Sequence, residues 1–399
     1  MIDSIPDNSL TQGVNRPMRV ANIIEEGKLG GPQIRMAMVA KALPENIETT
    51  LIIPRSNSKK FLQLCHKLNI RYKTVYLSRI TKQLLPALAY ISFSLFEILY
   101  LAYLFRKEKY DLIHVSGGSW QYKGVIAGYL SNCKVIWHLN DTYKPKIFRL
   151  IFSSLAPLAD GYIFASERTK EYYQAMIDPS KASFVIPAPV DTVKFDPDIE
   201  SEAILNEKYT EIKKKIIATV GNVNPVKGLD FLIDIASEAR SLLPEHHFII
   251  AGPISVRQEK YYSLLMRKIR ALGLKNISFL GPVSDVRSLL KAADVYLCTS
   301  KFESSPLSVW EAMAMKCPVV STNVGDVPLY VKDRVNGFIV SERSPKIFAS
   351  RIKQILSSPN DFEFFGINSR RIAVKHLDIK ICVRKHINAY DFMFVNKIT

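Results

Sequence analysis

Two short apolar runs, with a turn and a helix start between them, place the strongest constraint on how this 399-residue chain folds. The runs, Val295–Cys298 and Pro318–Ser321, have the length and composition of buried parallel strands. The order strand, turn, helix, strand is typical of open α/β sheets. In such sheets ligands bind beyond the carboxyl ends of the strands, which is where this turn is expected to lie.

Two glutamates, Glu303 and Glu311, lie in this segment with seven residues between them. Glu303 precedes the predicted helix, where a carboxylate can accept hydrogen bonds from sugar hydroxyls. Glu311 lies inside the helix, where it can hold the two hydroxyls of a ribose. A simpler interpretation stays open, because Ser308 and Glu311 also fit a capping box and Glu303 also fits a solvated loop acid.

The start of the predicted helix has the features of an anion site. Ser305 is a favourable N-cap, and Pro306 fits the first helical position because its missing N–H costs nothing there. The backbone amides of Leu307 and Ser308 then lack intrahelical partners and lie at the positive end of the helix dipole. We therefore expect this helix start to bind a diphosphate.

Loops at the ends of neighbouring strands add to this site. Gly221 ends a strand and is followed by Asn222 and then by Lys227, which is placed to reach a phosphate. Further strands end at Gly252 and Gly281, where backbone can approach closely. Glycines end strands in many α/β domains, so the glycines alone do not indicate a site. The presence of a lysine and two acids at the same edge of one sheet is explained less well by this general tendency.

These residues resemble those of the retaining glycosyltransferases of family 4. The resemblance implies the GT-B fold, an α/β architecture with two Rossmann-like doubly wound domains facing a central cleft. Between about residues 185 and 375 it rests on these motifs: Glu303…Glu311 (E-x7-E), Gly221…Lys227-Gly228, Phe279–Gly281, Ala292–Val295, Glu311–Ala314, Pro318–Val320 and Asn336-Gly337. The N-terminal half matches more loosely, through Gly30-Gly31, Tyr110–His114 and Trp137-His138.

The resemblance implies a role for each matched residue. Glu303 would contact the donor sugar near the reacting centre, Glu311 the nucleotide ribose, and Lys227 the diphosphate. Gly30-Gly31 would face the donor phosphates and the acceptor, and His138 would line the cleft near the transferred sugar. The predicted catalytic residues are Glu303, His138 and Lys227, and the predicted donor-binding residues are Glu311, Gly221, Asn222, Lys227, Ser305, Leu307, Ser308, Gly30 and Gly31.

Asn222 departs from the family pattern, which has arginine at this position. Either one diphosphate cation is missing, or another residue supplies it, for which Arg257 and Lys301 are the candidates. We predict neither a metal nor another cofactor, because Lys227 and the helix start can neutralise the diphosphate. No His/Cys cluster has zinc spacing, and Asp196-Pro-Asp198 is interpreted as a turn.

The resemblance implies transfer of a sugar from a nucleotide-sugar donor to an acceptor hydroxyl with retention of configuration. The expected acceptor is a glycan or lipid-linked precursor of a surface polysaccharide such as lipopolysaccharide or capsule. Two alternatives stay open. A nucleotide-sugar epimerase on the same fold would turn over donor without acceptor, and a catalytically silent binding protein would bind nucleotide without releasing sugar.

The length of the chain suits two domains. We predict a flexible tail over residues 1–16, an acceptor-side domain over 17–190, a nucleotide-sugar-binding domain over 191–375 and a helix over 376–399 that returns to the first domain. A proline-rich run marks the break, and a charged helix-like stretch over 201–214 follows it. The predicted N-terminal strands are Met18–Ile24, Thr49–Ile53, Leu112–Val115, Lys134–Trp137 and Gly161–Ala165.

The apolar stretch Leu84–Phe105 allows three interpretations: a helix partly buried in the N-terminal domain, a helix whose aromatic face touches a membrane interface, or a membrane span. A span is disfavoured because Glu97 would lie in the bilayer and because the strands on either side of the stretch could not share a sheet.

The net charge of +17 is interpreted as attraction to an anionic cytoplasmic leaflet that carries a lipid-linked acceptor. The alternative is a soluble protein that is simply basic. We predict no nucleic-acid partner, since no zinc finger, arginine-rich segment or RNA-binding signature is present. Five cysteines without Cys-x-x-Cys spacing, and no signal peptide, favour a cytoplasmic protein, peripheral on the inner face of the membrane if bound there.

Overall fold

The computed structural model describes residues 16–78, 84–142, 146–198 and 215–398. The predicted charged helix over 201–214 and nearly all of the predicted tail lie outside these residues. The chain divides into two compact units, Met1–Ala188 with Ile379–Thr399 and Pro189–Asp378. These divisions fall within a few residues of the sequence-based boundaries.

The first unit is a seven-stranded parallel sheet in the order β3-β2-β1-β4-β5-β6-β7. Its strands are β1 Met18–Ile23, β2 Ile47–Pro54, β3 Tyr72–Val75, β4 Leu112–Val115, β5 Lys134–Leu139, β6 Gly161–Phe164 and β7 Ala182–Val185. The helices between them are α1 Gly31–Ala42, α2 Lys59–Lys67, α3 Leu84–Lys107, α4 Lys123–Leu130, α5 Lys146–Leu155 and α6 Glu167–Tyr173.

The second unit is a six-stranded parallel sheet in the order β10-β9-β8-β11-β12-β13. Its strands are β8 Lys215–Val220, β9 His246–Ala251, β10 Ile277–Gly281, β11 Ala293–Cys298, β12 Val319–Thr322 and β13 Gly337–Val340. Its helices are α7 Leu229–Leu242, α8 Glu259–Ala271, α9 Arg287–Ala292, α10 Leu307–Ala314, α11 Val327–Tyr330, α12 Pro345–Leu356 and α13 Pro359–His376.

The last helix, α14 Ile379–Ile398, belongs to the first unit although it follows the second in sequence. Its residues Ala389, Tyr390 and Met393 are buried against Val20 and Ile136 of the first sheet. The second half of the chain therefore contributes part of the core of the first unit.

Both sheets are doubly wound, as the sequence predicts, because the central strands are buried on two faces and need helices on each side. The strand order reverses between β1 and β4 in the first unit and between β8 and β11 in the second. Ligands of doubly wound sheets bind at such switch points, beyond the carboxyl ends of the strands.

The apolar stretch forms α3, whose residues Leu101 and Phe105 are fully buried in the core of the first unit. Glu97 in this helix accepts a hydrogen bond from the backbone N–H of Ser78 (2.7 Å) and forms an ion pair with the buried Lys123. Among the described residues, no helix is long and apolar enough to span a membrane. The buried side of α3 matches the predicted core helix.

Candidate active site

Three loops meet at the switch point of the second unit, after β8, β11 and β12. Backbone and side-chain hydrogen bonds join them, so each loop fixes the position of its neighbour. These bonds are Lys301 N to Val226 O (2.7 Å), Thr299 Oγ1 to Lys227 O (2.9 Å), Thr322 Oγ1 to Ser300 O (2.7 Å) and Asp326 N to Ser304 O (3.0 Å).

Lys227 and Glu303 form the polar centre of this site. Lys227 Nζ donates to Glu303 Oε1 at 2.7 Å, and Ser300 Oγ donates to the same oxygen at 2.9 Å. Burial would lower the pKa of Lys227, but the charge of Glu303 and its hydrogen bond outweigh burial and raise it. The structure therefore brings together two of the residues that the sequence predicts to be catalytic, with Lys227 charged.

Gly221 leaves the space that the Lys227 side chain occupies. A Cβ added at Gly221 would lie 3.0 Å from Lys227 Cε, which is tighter than ordinary carbon contacts. Asn224 caps the short 3-10 helix Pro225–Lys227 by accepting from the N–H groups of Val226 (2.9 Å) and Lys227 (3.2 Å). This cap orients the loop so that Lys227 points across the strand ends.

Glu311 lies one turn into α10 and is half-buried. No described residue donates a hydrogen bond to its carboxylate, so the capping box with Ser308 does not form. Burial raises the pKa of Glu311 to about 7, with Lys194 lowering it and Asp285 raising it. A half-buried carboxylate without a protein donor is suited to accept hydrogen bonds from a ligand.

The helix start differs from the prediction by one residue. Pro306 has extended backbone angles and occupies the N-cap position, so Ser305 is not the N-cap. Instead, the buried Trp310 uses Ser305 Oγ as the acceptor for its indole N–H at 3.1 Å, because a buried indole requires a partner. No described residue accepts from the amides of Leu307 or Ser308, the first two helical residues, and both amides stay available to an anion.

The cation that replaces the family arginine is not evident in the described contacts. Asn222 itself is exposed. Lys301 Nζ lies 3.8 Å from Asp230 Oδ2, which draws this candidate toward α7. Arg257 is exposed in the short 3-10 helix Val256–Gln258 and has no ion-pair partner among the described residues.

Two charged residues beside Glu311 were missed by sequence reasoning. Lys194 and Asp285 both influence its pKa, and Arg287 fixes Asp285 through hydrogen bonds from its guanidinium. Asp196 follows Lys194 by two residues, and its Oδ2 accepts a hydrogen bond from Arg370 at 2.9 Å, so Asp196 forms an ion pair rather than one arm of a metal site. No sequence spacing links any of these residues to Glu311.

In the first unit, Gly30 and Gly31 lie where the loop after β1 passes into α1, at the switch point. Gly30 is the N-cap of α1 in extended conformation, and Gly31 is the first helical residue. The first turn of α1 contains no acidic residue, so the helix dipole there is not offset by a carboxylate. The position agrees with an anion-facing loop.

His138 does not match its predicted role. Its side chain is 0% exposed, its Nε2 faces the Arg35 guanidinium, and its Nδ1 lies 3.1 Å from Nε2 of His114. Both ring nitrogens are thus used inside the first unit, because β5 turns His138 toward α1 and α14. Contact between His138 and a transferred sugar has no support in this structure.

His114, His138 and His386 form a buried cluster with ligand atoms within 4.8 Å of one another. Arginine can only donate, so Arg35 makes His138 Nε2 an acceptor and leaves the proton on Nδ1. His138 then donates to His114, and His114 Nδ1 donates to Tyr390 Oη at 2.7 Å. A metal ion would need lone pairs that this chain of hydrogen bonds already uses, so the cluster fits a structural network.

Comparison with known proteins agrees with this geometry. The model of Glycosyltransferase Family 4 matches residues 29–194, and that of Glycosyl transferases group 1 matches residues 201–372. A crystal structure of Anabaena HepE in complex with UDP superposes with a TM-score of 0.80 at 19% identity, covering 94% of this chain and 99% of HepE.

Two curated relatives extend the comparison. UDP-Gal:alpha-D-GlcNAc-diphosphoundecaprenol alpha-1,3-galactosyltransferase of Escherichia coli is 26% identical over 74% of this chain and 78% of its own length. A Campylobacter jejuni alpha-1,4-N-acetyl-D-galactosaminyltransferase, named for an undecaprenol-diphosphate glycan, is 27% identical over 61% of this chain and 63% of its own length.

The fold is therefore that of the GT-B glycosyltransferases, as the sequence predicts. The two models together span most of both units, and the chain belongs to glycosyltransferase family 4. It is a glycosyltransferase that depends on a nucleotide-sugar donor.

Proposed function

We propose that the protein transfers a sugar, with retention of configuration, from a nucleotide sugar to a hydroxyl of a lipid-linked or cell-surface polysaccharide precursor. The observation that carries this proposal is the arrangement at the second switch point. Glu311 has no donor among the residues that the structure describes, while Glu303, eight positions earlier, is held by Lys227. Such a pair suits a ligand with hydroxyls at both ends of a diphosphate.

In the proposed mechanism, Lys227 and the amides of Leu307 and Ser308 stabilise the charge that grows on the leaving diphosphate. Preorganised donors of this kind supply the largest share of barrier lowering in many enzymes. Glu303 holds the donor sugar, and Glu311 holds the ribose. The acceptor hydroxyl attacks the anomeric carbon of the donor sugar from the face that the diphosphate leaves, and passes its proton to the leaving phosphate. Attack on that face retains the configuration, and no metal is required.

The relatives support the choice of substrates. HepE is solved with UDP, and the E. coli relative is named for UDP-Gal and an undecaprenol-diphosphate acceptor. We therefore propose a UDP-sugar donor and an acceptor in which the growing glycan is joined to a polyprenol diphosphate. A lipid-linked acceptor places the reaction on the cytoplasmic face of a membrane.

A thermal-shift screen against UDP-, GDP-, ADP- and CMP-sugars tests the donor site. A ligand that binds only the folded protein raises Tm by mass action. The true donor should raise Tm, and Glu311→Ala should abolish the rise. Glu259→Ala, an exposed acid on α8, is the matched control and should leave it unchanged. A full shift in Glu311→Ala would overturn the ribose role.

Release of nucleotide with and without acceptor separates the alternatives. A transferase releases nucleoside diphosphate only when a polyprenol-diphosphate saccharide is added. Conversion of the donor sugar to its epimer without acceptor would show an epimerase. Binding without turnover under either condition would show a catalytically silent protein. The configuration of the new linkage, read by NMR, decides between retention and inversion.

A further inference from the structure

Helix α3 carries an exposed aromatic stripe on the side opposite to the core of the first unit. Phe93, Phe96, Tyr100 and Tyr103 recur at intervals of three and four residues, which places them along one helix face. Their exposed fractions are 57%, 69%, 49% and 60%. We call these four residues the α3 stripe. Soluble proteins rarely expose so many large apolar side chains together unless the surface binds something.

The apolar surface continues onto the two neighbouring helices. Right-handed crossovers place α3, α4 and α5 on the same face of the first sheet, and the three helices share one buried cluster. Tyr129 and Leu130 are exposed at the end of α4, and Leu150 and Ile151 are exposed on α5. The described outer sides of α3, α4 and α5 are therefore unusually apolar.

The exposed charges on α3, α4 and α5 are of one sign, whereas α6, on the same face of the sheet, carries the exposed acids Glu167 and Glu171. Arg106 and Lys107 are exposed at the end of α3, and Arg149 is exposed on α5. The sequences of α3, α4 and α5 contain a single acid, Glu97, and its carboxylate turns inward to Ser78 and Lys123. No carboxylate of these helices offsets the cations on the outer side.

We propose that the outer side of α3, α4 and α5 docks on an anionic lipid bilayer, with α3 lying in the headgroup region. Aromatic rings suit that depth, and exposed lysine and arginine side chains attract anionic lipids. A second copy of the chain suits this surface poorly, because a net charge of +17 and the same cations would face each other. The proposal rests on the proposed function, since a polyprenol-linked acceptor is reached at a bilayer.

Vesicle flotation tests the apolar part of the surface. The full chain should bind vesicles of phosphatidylcholine mixed with phosphatidylglycerol. Replacing Phe93, Phe96 and Tyr103 together by serine should weaken binding at least tenfold. The matched control replaces the exposed Val256, Leu264 and Ile367 of the second unit by serine and should bind like the wild type.

A second pair of variants tests the charge. Lys107→Gln combined with Arg149→Gln should weaken binding about fivefold for each charge removed. Lys260→Gln combined with Arg267→Gln makes the same change of net charge on α8 and should have little effect. Vesicles of phosphatidylcholine alone should bind the wild type much more weakly than the mixed vesicles.

Several outcomes would overturn the proposal. Wild type that does not float with mixed vesicles would do so, as would a stripe variant that floats normally. Sedimentation that reveals a dimer dissociated by the stripe substitutions would assign the surface to a second copy instead. The donor thermal shift tells a failure of this proposal from a failure of the proposed function. A variant that has lost vesicle binding but still shows the normal shift has an intact donor site. A wild type that binds vesicles but shows no shift counts against the proposed function alone.

Discussion

Gly228 packs directly against the backbone of Thr299. A Cβ added at Gly228 would lie 2.1 Å from the carbonyl oxygen of Thr299, a distance that real Cβ atoms do not show. Gly228 also has φ of +64°, in the left-handed region that favours glycine. This close approach holds the loop of Lys227 against the end of β11, where Lys227 meets Glu303.

Gly228→Ala should therefore disrupt both stability and donor binding. Gly273→Ala is the matched control, because Gly273 has a similar φ of +59° but no atom within 4 Å of an added Cβ. The control should cost about 1 kcal/mol from backbone strain alone. Gly228→Ala should cost roughly 3 kcal/mol or more, since the backbone must shift, and should abolish the donor thermal shift. Equal urea midpoints for the two variants would contradict this interpretation.

Lys227→Ala should weaken donor binding more than it weakens folding. The variant removes the cation proposed for the diphosphate and leaves Glu303 with the hydroxyl of Ser300. A lost charged hydrogen bond corresponds to about 1.5–3 kcal/mol, or roughly 10- to 100-fold in Kd. Calorimetry with the UDP-sugar measures the change, and Lys260→Ala, which removes an exposed lysine of α8, provides the control. Equal losses in both variants would show that Lys227 has no special role.

Donor affinity should depend on pH through Glu311. Burial raises the pKa of this carboxyl to about 7, so the free protein holds a proton there in part at neutral pH. Ribose hydroxyls donate to the ionised form, and binding must then release a proton. Affinity should fall as the pH drops below about 7, approaching tenfold per pH unit.

Calorimetry in buffers with different ionisation enthalpies measures this proton release. Glu311→Gln should bind more weakly and show no such dependence. Wild-type affinity that stays constant between pH 6 and pH 8 would exclude an ionised Glu311 as the ribose partner.

The buried histidine network should make the protein sensitive to acid. Burial, with repulsion from Arg35 and the neighbouring histidines, holds the pKa of His114 and His138 well below the usual range, and the pKa of His386 is lowered to about 3. A histidine with a lowered pKa binds fewer protons when folded than when unfolded. Its stabilising effect is therefore present above the unfolded pKa of about 6.5 and is lost as the pH falls below it.

Each such histidine should reduce the free energy of unfolding by about 1.4 kcal/mol between pH 7.5 and pH 5.5. Urea unfolding at the two pH values, followed by a signal of the first unit, measures the sum. His386→Gln should remove roughly one histidine's share of the difference. An identical pH dependence in wild type and variant would show that His386 does not stay neutral in the folded state.

The sequence predicts central strands better than edge strands, because burial on two faces leaves a clear apolar run. The central strand Leu112–Val115 has in the structure the bounds that the sequence predicts. By contrast, β3, β7 and β13 were not predicted. These are edge strands, and in β7 every residue is only half-buried, so its composition resembles that of a loop.

The position of a residue of the candidate site can be predicted where the topology of the sheet fixes it, and not where a side-chain contact decides it. Lys227 and Glu303 could be placed together because both follow strands of one sheet. The predicted N-cap is wrong because Ser305 Oγ accepts a hydrogen bond from the indole N–H of Trp310. N-cap preferences consider only the backbone amides of the helix and do not include such a side-chain donor. The sequence does not predict the surroundings of His138, because three of its neighbours come from other strands and helices. His114 and His138 both lie inside apolar strand runs, however, and that position already indicates burial.

Helix α14 affects the order in which the two units can fold. Residues 379–398 supply Ala389, Tyr390 and Met393 to the core of the first unit, yet they are synthesised after the whole second unit. Until these residues have been synthesised, the apolar patch around Val20 and Ile136 stays uncovered in the nascent first unit, whereas the second unit can already be folded. The core of the first unit is therefore completed only after the last residues of the chain have been synthesised.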